Sequence, residues 1–306
     1  EFIHGPVNEL CEMIDEWQVA HKDYDLPKEV YDFVKEKGFF SFIIPKEYGG
    51  LDFSPLGLIY VMAKIGSRSG TLASMVGVPN SLGPAELLMH YGTDEQKKDL
   101  LPKLASGEHV PCFALTGPYA GSDATSMPDT GVVCKGEFEG KEIIGIKLNF
   151  SKRYITLAPI ATLIGLAFKM HDPDHLIGEV DDYGITCALL PKELEGLESG
   201  RWHIPIGSPF MNGTITGEDV FIPLDYIIGG VERAGEGWKM LTDCLSAGRA
   251  IVLPSGAMSG AKAAVAVTGA YARAREQFGM PIAEFEGILE PCLLYTSDAA
   301  DDSLRV

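Results

Sequence analysis

The sequence is short of positive charge and of most motifs by which enzyme chemistry is recognised. Lysine and arginine total 25 against 43 aspartates and glutamates, a net charge of −18 over 306 residues. No basic stripe is available to displace counterions from phosphates, which argues against a nucleic-acid partner. Long apolar runs are missing too: the best stretch, residues 251–267, is interrupted by Pro254, Ser255, Ser259 and Lys262, and a membrane span needs ~20 apolar residues. Six cysteines (11, 112, 134, 187, 244 and 292) are scattered, with no CxxC and no Cys/His zinc spacing. They read as small buried hydrophobes of a reducing, cytoplasmic setting. There is no GxGxxG after a strand, no GxxxxGK(S/T), no HExxH and no GxSxG. The acidic stretch Asp172–Asp182 lacks the spacing of a calcium loop and reads as a solvated loop. No metal site is expected.

What is present is an ordinary globular composition, 46% hydrophobic and 22% charged, in the order helix, strand, helix. Leu10, Met13, Ile14 and Trp17 form one helical stripe. A second helix is expected from Asp25 as cap, with Pro27 just inside, to Gly38. Thr93-Asp-Glu-Gln96 is a capping box. Phe42–Pro45 reads as a buried link, followed by a tight turn at Glu47–Gly50. From Val110 the segments become short and β-rich: 131–134, 143–148, 161–168, 184–190 and 219–222. Amphipathic helices do not separate them, so an antiparallel sandwich or barrel is expected rather than a Rossmann sheet. After Gly235, Trp238, Leu241 and Leu245 share a helix face, and a long Ala-rich helix is expected from Gly248 to Gln277. The fold class is therefore α+β. A helical domain spans 1–109, an antiparallel β domain 110–225 and the start of a helical bundle 226–291, with a tail at 292–306.

Two segments could carry chemistry. Cys112–Asp123 runs from an apolar stretch into a small-residue loop whose backbone a large planar or anionic ligand can approach, with Thr116 and Ser122 as donors. Lys152-Arg-Tyr-Ile-Thr156 places Tyr154 and Thr156 at strand spacing, on one face. Either alone could equally be a capped turn or an edge strand.

Together they resemble a known family. Ala114-Leu-Thr-Gly-Pro-Tyr-Ala-Gly-Ser-Asp123 is similar to the acyl-CoA dehydrogenase signature, and Lys152–Thr156 to that family's second flavin motif. Pro45–Gly50, Tyr91–Lys97, Asp219–Pro223, Gly235–Trp238 and Arg275-Glu-Gln-Phe-Gly279 add agreement across residues 1–291. The wording of Gly77–Pro84 and Tyr154–Leu166 is most similar to the large bacterial members that act in fatty-acid β-oxidation.

The resemblance implies FAD as cofactor, an acyl-CoA substrate and α,β-dehydrogenation to the trans-2-enoyl-CoA. It further implies electron-transfer flavoprotein as electron acceptor and a homo-oligomeric parent. An acyl-CoA oxidase, a flavin monooxygenase or a non-catalytic scaffold of the same fold are the alternatives. Carried over position by position, Leu115, Thr116, Tyr154 and Thr156 would contact the flavin. Ser122 would touch flavin or the CoA arm, and Arg249 would stand on the substrate side. Arg275, Gln277 and Phe278 would hold the FAD of a neighbouring subunit.

Two positions depart from the pattern. Gly117 stands where the family usually has Glu. Gly248 occupies the place where some subfamilies carry the catalytic base, and neither Asp243 nor Glu236 is expected to replace it. The chain begins at Glu1, and the resemblance stops at Pro291, before a string that looks like translated sequencing adapter. The expectation is a polypeptide cut at both ends, its base beyond the cut and any membrane anchor ahead of Glu1. As given, it is expected to be inactive.

Overall fold

Caps and breaks, more than apolar stripes, decide where the first helices run in the computed structural model, which describes residues 1–81 and 83–292. Helix α1 (Pro6–Glu12) buries Val7 and Leu10. The Leu10–Trp17 stripe does not continue as one helix, because the Asp15 carboxylate accepts the Gln18 N–H and opens a new short turn, α2 (Glu16–Gln18). Trp17 is consequently 67% exposed rather than in line with Leu10. Helix α3 (Lys28–Glu36) starts later than expected. Asp25 spends its carboxylate on the Leu26 N–H and the Tyr31 hydroxyl, which leaves Pro27 as the cap. Helices α4 (Pro55–Arg68), α5 (Gly70–Gly77) and α6 (Pro84–Tyr91) follow. Helix α7 (Asp94–Ala105) carries the full reciprocal capping box of Thr93 and Gln96.

These helices close over an aromatic cluster. Phe2, Phe39, Phe42 and Phe53 meet at centroid distances of 5.1–5.7 Å. Asn80, 1% exposed, locks the Phe39–Phe42 link to the end of α5. Its carbonyl accepts the Phe42 N–H at 2.8 Å, and its amide donates to the Phe39 and Val76 carbonyls at 2.7 and 2.8 Å.

Strands β1 (Pro111–Ala114), β2 (Thr130–Phe138), β3 (Lys141–Thr156), β4 (Leu163–His171), β5 (Asp182–Pro191), β6 (Leu197–Trp202) and β7 (Asn212–Pro223) form one sheet. Its main pairings are antiparallel: β2–β3, β3–β7, β6–β7 and β4–β5. Beyond the expectation, β1 and β2 run parallel to successive halves of β4. The sequence of β4 suits that place, since Leu163–Phe168 is buried throughout, as in strands covered on both faces. The β2–β3 hairpin turns at Glu139-Gly140, both at positive φ (50° and 76°), the geometry that favours a two-residue turn. In the acidic β4–β5 connection Asp172 is fully buried, not solvated, because its carboxylate accepts the Leu176 and Ile177 N–H groups, both at 2.9 Å.

Helix α8 (Gly237–Ala274) is one helix where two segments were expected. Pro254 lies inside it without ending it, so the interruptions read from sequence do not divide the run. By length and composition α8 could cross a membrane, with a mean hydropathy of 1.4 over its best 18 residues. Its first turns bury Met240, Leu241, Cys244 and Leu245, whereas Trp238 is 39% exposed and off that face.

The chain divides into two compact units, Glu1–Gly256 and Ala257–Val306. In the second, β8 (Glu276–Gln277) and β9 (Met280–Pro281) form a hairpin turning at Phe278-Gly279. The Phe278 ring meets Phe285 at 6.1 Å. The expected foreign tail lies outside the described residues from position 293 onward.

Replacing Asn80 by Ala strips partners from one buried N–H and two buried carbonyls, and is expected to cost about 2–4 kcal/mol of stability. Urea denaturation measures it, and a change below ~0.5 kcal/mol would contradict the role given to Asn80.

Candidate functional site

Strand β1 delivers the first loop to the sheet edge, and β3 delivers the second motif beside it. Past Ala114 the chain leaves β1, and the Gly117 N–H donates to the Ala120 carbonyl at 3.1 Å, closing a tight turn. Gly117 is where a side chain is missing relative to the family pattern, and the packing accounts for it. A Cβ there would lie 3.0 Å from the Ser151 carbonyl oxygen of β3, tighter than an ordinary contact.

The end of β3 is bulged. Lys152 pairs with Ile215 and Ile155 with Gly213, so Arg153 and Tyr154 together face only Thr214 of β7. Tyr154 takes up the irregularity at φ 57°, an uncommon conformation for a residue with a side chain. The bulge, rather than simple alternation, turns Tyr154 toward the same space as Thr156. Its ring stands beside the Arg153 guanidinium (5.2 Å) and the His203 imidazole (4.9 Å). The Thr156 hydroxyl receives the Asn212 amide at 3.4 Å, and the Asn212 carbonyl lies 3.1 Å from His203 Nδ1.

The two motifs are stitched directly. The Arg153 N–H donates to the Thr116 carbonyl at 3.0 Å. Beneath them lies a buried ion pair, Lys152 Nζ to Asp129 Oδ2 at 2.5 Å, and Nζ also donates to the Leu115 carbonyl at 3.0 Å. Burial pulls the Lys152 pKa below its ordinary value, opposed by the Asp129 charge.

The result is a cavity of about 150 Å³. Leu115, Phe113, Val78, Ile155 and Leu245 give it an apolar wall, and Thr116, Thr156 and Tyr154 give it hydroxyls. One turn beyond Leu245 on α8, Arg249 supplies the charge, and among the described residues no carboxylate side chain lines the space. Pockets that enclose a whole ligand of drug size measure ~300–1,000 Å³. This one therefore fits the flat head of a larger molecule. Hydroxyl and guanidinium donors without an opposing acid suit a ring system rich in acceptors, and the apolar wall with Tyr154 suits its faces. The residues present fit a flavin ring.

Of the residues expected from sequence, the structure brings Leu115, Thr116, Tyr154, Thr156 and Arg249 to this cavity. Ser122 is exposed and does not line it. Arg275, Gln277 and Phe278 are exposed on the hairpin of the second unit, with Phe278 94% accessible. Asp243 accepts the Tyr91 hydroxyl at 2.6 Å, and Glu236 pairs with Arg233 at 2.8 Å, so both carboxylates are engaged elsewhere. At Gly248 a Cβ would fall 2.3 Å from the Ser81 carbonyl oxygen, which leaves no room for a glutamate. Cys112 and Cys187 are buried, and burial raises both thiols, Cys187 to about 12, which disfavours the nucleophilic thiolate. Sequence reading gave no site role to Val78, Phe113, Ile155, Leu245 or Asp129; the first three lie within motif segments it singled out, and Leu245 and Asp129 do not. It left Lys152 without a role.

Comparison with known proteins identifies the family and the fold. Family models for the acyl-CoA dehydrogenase N-terminal and C-terminal domains match residues 7–108 and 235–298. The 3-(aryl)acrylate reductase of Clostridium sporogenes is 34% identical over 292 residues, covering 94% of this chain and 70% of the relative. Isovaleryl-CoA dehydrogenase of Solanum tuberosum is 33% identical over 291 residues, covering 94% and 64%. Among solved structures, a chain from the work on the electron transferring flavoprotein of Acidaminococcus fermentans superposes with a TM-score of 0.80. It is 26% identical, covering 97% of this chain and 74% of that one. The acyl-CoA dehydrogenase of Bacillus anthracis, complexed with FAD, gives 0.77 at 25% identity, covering 94% and 47%. The chain belongs to the acyl-CoA dehydrogenase family of flavoprotein oxidoreductases. It spans between 60% and 70% of the length of the curated relatives it matches.

Two outcomes check this geometry. Gly248→Ala gains up to ~1 kcal/mol of helix propensity on an open helix face. Against the Ser81 backbone it is expected to lose about 1–3 kcal/mol instead, and a net stabilisation in chemical denaturation would contradict the close packing. The Tyr91 pKa is pushed up to about 12, chiefly by its hydrogen bond to Asp243. A folded-state value above the ordinary ~10 means the contact supports folding below that pH, and the support fades as pH climbs through the raised value. Asp243→Asn is expected to return Tyr91 toward ~10 in an ultraviolet phenol titration, with the cavity unaltered.

Proposed function

We propose that this chain is the flavin-bearing portion of an enzyme that converts an acyl-CoA thioester to its trans-2-enoyl-CoA in fatty-acid β-oxidation. Electrons would leave to an electron-transfer flavoprotein. The observation that carries the reading is the joining of both motifs in one cavity, through the Arg153 N–H and the Thr116 carbonyl. The cofactor is FAD, and when bound it supplies the hydride acceptor for the β hydrogen. Thr116 and Thr156, which line the cavity, would hold its ring through their hydroxyls, and Leu115 and Tyr154 would bound it. Arg249 contributes positive potential where the thioester oxygen gathers charge as the α proton leaves. Arg275, Gln277 and Phe278, exposed on their hairpin, are offered to the cofactor of a second copy in a homo-oligomer.

Removal of the α proton needs a base, whose loss typically costs ~10²–10⁴ in rate. Among the described residues none with a carboxylate side chain lines the cavity, so this polypeptide is expected to bind flavin without turning over acyl-CoA.

Titrating the purified chain with FAD and following flavin fluorescence tests the reading. Saturable binding is expected, weakened about tenfold or more by Thr156→Val, the size of one good hydrogen bond. Absence of binding by the parent chain would overturn the flavin site. Dye-linked oxidation of an acyl-CoA by the same preparation would overturn the claim that the base is missing.

A further inference from the structure

The ion pair under the cavity touches neither the proposed substrate nor the proposed ring. Lys152 is 0% exposed and Asp129 3%. A buried pair of this kind contributes little to stability, because desolvating two ions offsets their attraction, and apolar residues of similar volume serve a core equally well. What apolar residues cannot do is bind backbone, and here both partners do so. The ammonium donates to the Leu115 carbonyl at 3.0 Å, and the second Asp129 oxygen accepts the Ser151 N–H at 2.8 Å. The Asp129 carbonyl in turn accepts the Lys169 N–H at 2.9 Å, anchoring the pair to β4. Leu115 begins one wall of the cavity, and Ser151 and Lys152 lead directly into the other. One residue further along each segment comes the Thr116–Arg153 hydrogen bond. The pair therefore sits where the two walls are joined, and each partner holds the backbone of one of them.

We propose that Lys152 is a positioning residue: with Asp129 as its buried counter-ion, its ammonium fixes the Leu115–Thr116 wall against Tyr154–Thr156 in the spacing that receives the ring. The proposal rests on the flavin reading of the cavity. Lysine suits the task because a compact ammonium with three donors can serve Asp129 and the Leu115 carbonyl at once, which the planar fork of arginine does less freely.

Lys152→Met alone leaves a buried carboxylate unpaired and is strongly destabilising, so the informative variant is Lys152→Met/Asp129→Leu. It is expected to melt at or above the parent temperature. FAD should nonetheless bind about tenfold or more weakly, the size of one charge-assisted hydrogen bond. Amide exchange at Arg153 should accelerate by a similar factor, because its acceptor is no longer held. A second variant, Lys152→Gln/Asp129→Asn, is neutral and polar but one bond too short to reach Leu115, and the same two readouts are expected. Parent-like FAD affinity together with parent-like protection of Arg153 in a folded variant would overturn the proposal. Failure of the parent itself to bind FAD overturns the flavin reading separately, and exchange at Arg153 then decides whether the clamp exists.

Discussion

Strand β3 is the constraint on which the rest of the first unit depends. Its sixteen residues pair with β2 along one edge and with β7 along the other. Its register fixes three things: which side chains enter the core, where the bulge falls, and which residues emerge at the cavity. Leu148, Phe150 and Lys152 follow one another on a single buried face. The first two supply apolar burial, and the third carries a charge into the same layer. A slip of one residue would expel all three and bury the polar positions between them.

The cavity that β3 serves is electrostatically lopsided. It has a guanidinium and hydroxyls but, among the described residues, no carboxylate side chain. The two carboxylates nearest in sequence to the α8 contribution are committed to Tyr91 and Arg233. Gly248 is held against the Ser81 backbone so closely that no side chain fits. Under the proposed function binding and proton removal are separable, since among the described residues the lining offers donors and an apolar wall but no carboxylate side chain.

Much of this was legible in the sequence. The passage from helix to strand near Val110 followed from apolar periodicity, and the Thr93 box from a four-residue pattern that physics makes specific. The two cavity segments were legible as family motifs, and four of their residues, Leu115, Thr116, Tyr154 and Thr156, meet Arg249 of α8 in one space. Legibility failed where a polar side chain chose a local partner over its expected role. Asp15 capped a new turn inside a continuous apolar stripe, and Asp25 bonded Tyr31 instead of serving as cap. Helix α8 runs unbroken from Gly237, so the two segments read on either side of residues 246–247 are one helix. The role of Asp129 could not be read at all, because its partner lies 23 positions away, across the β2–β3 hairpin. For Lys152 a signal existed: a lysine two residues past Phe150 in a strand must share the buried face and therefore needs a buried partner.

The Glu139-Gly140 turn also bears on how the molecule assembles. It joins β2 and β3 across two residues, so that ladder closes a very short loop and can zip from the turn outward. The β1–β4 pairing instead closes a separation of about fifty residues, Pro111 to Leu163, and the Lys152–Leu115 contact closes 37. Pairings of that range form late, after local ones have restricted the chain. Contact order thus makes the hairpin an early event and the cavity between the two motifs a late one. An unfinished folding intermediate would carry a sound sheet centre and an open, apolar slot where the ring should sit.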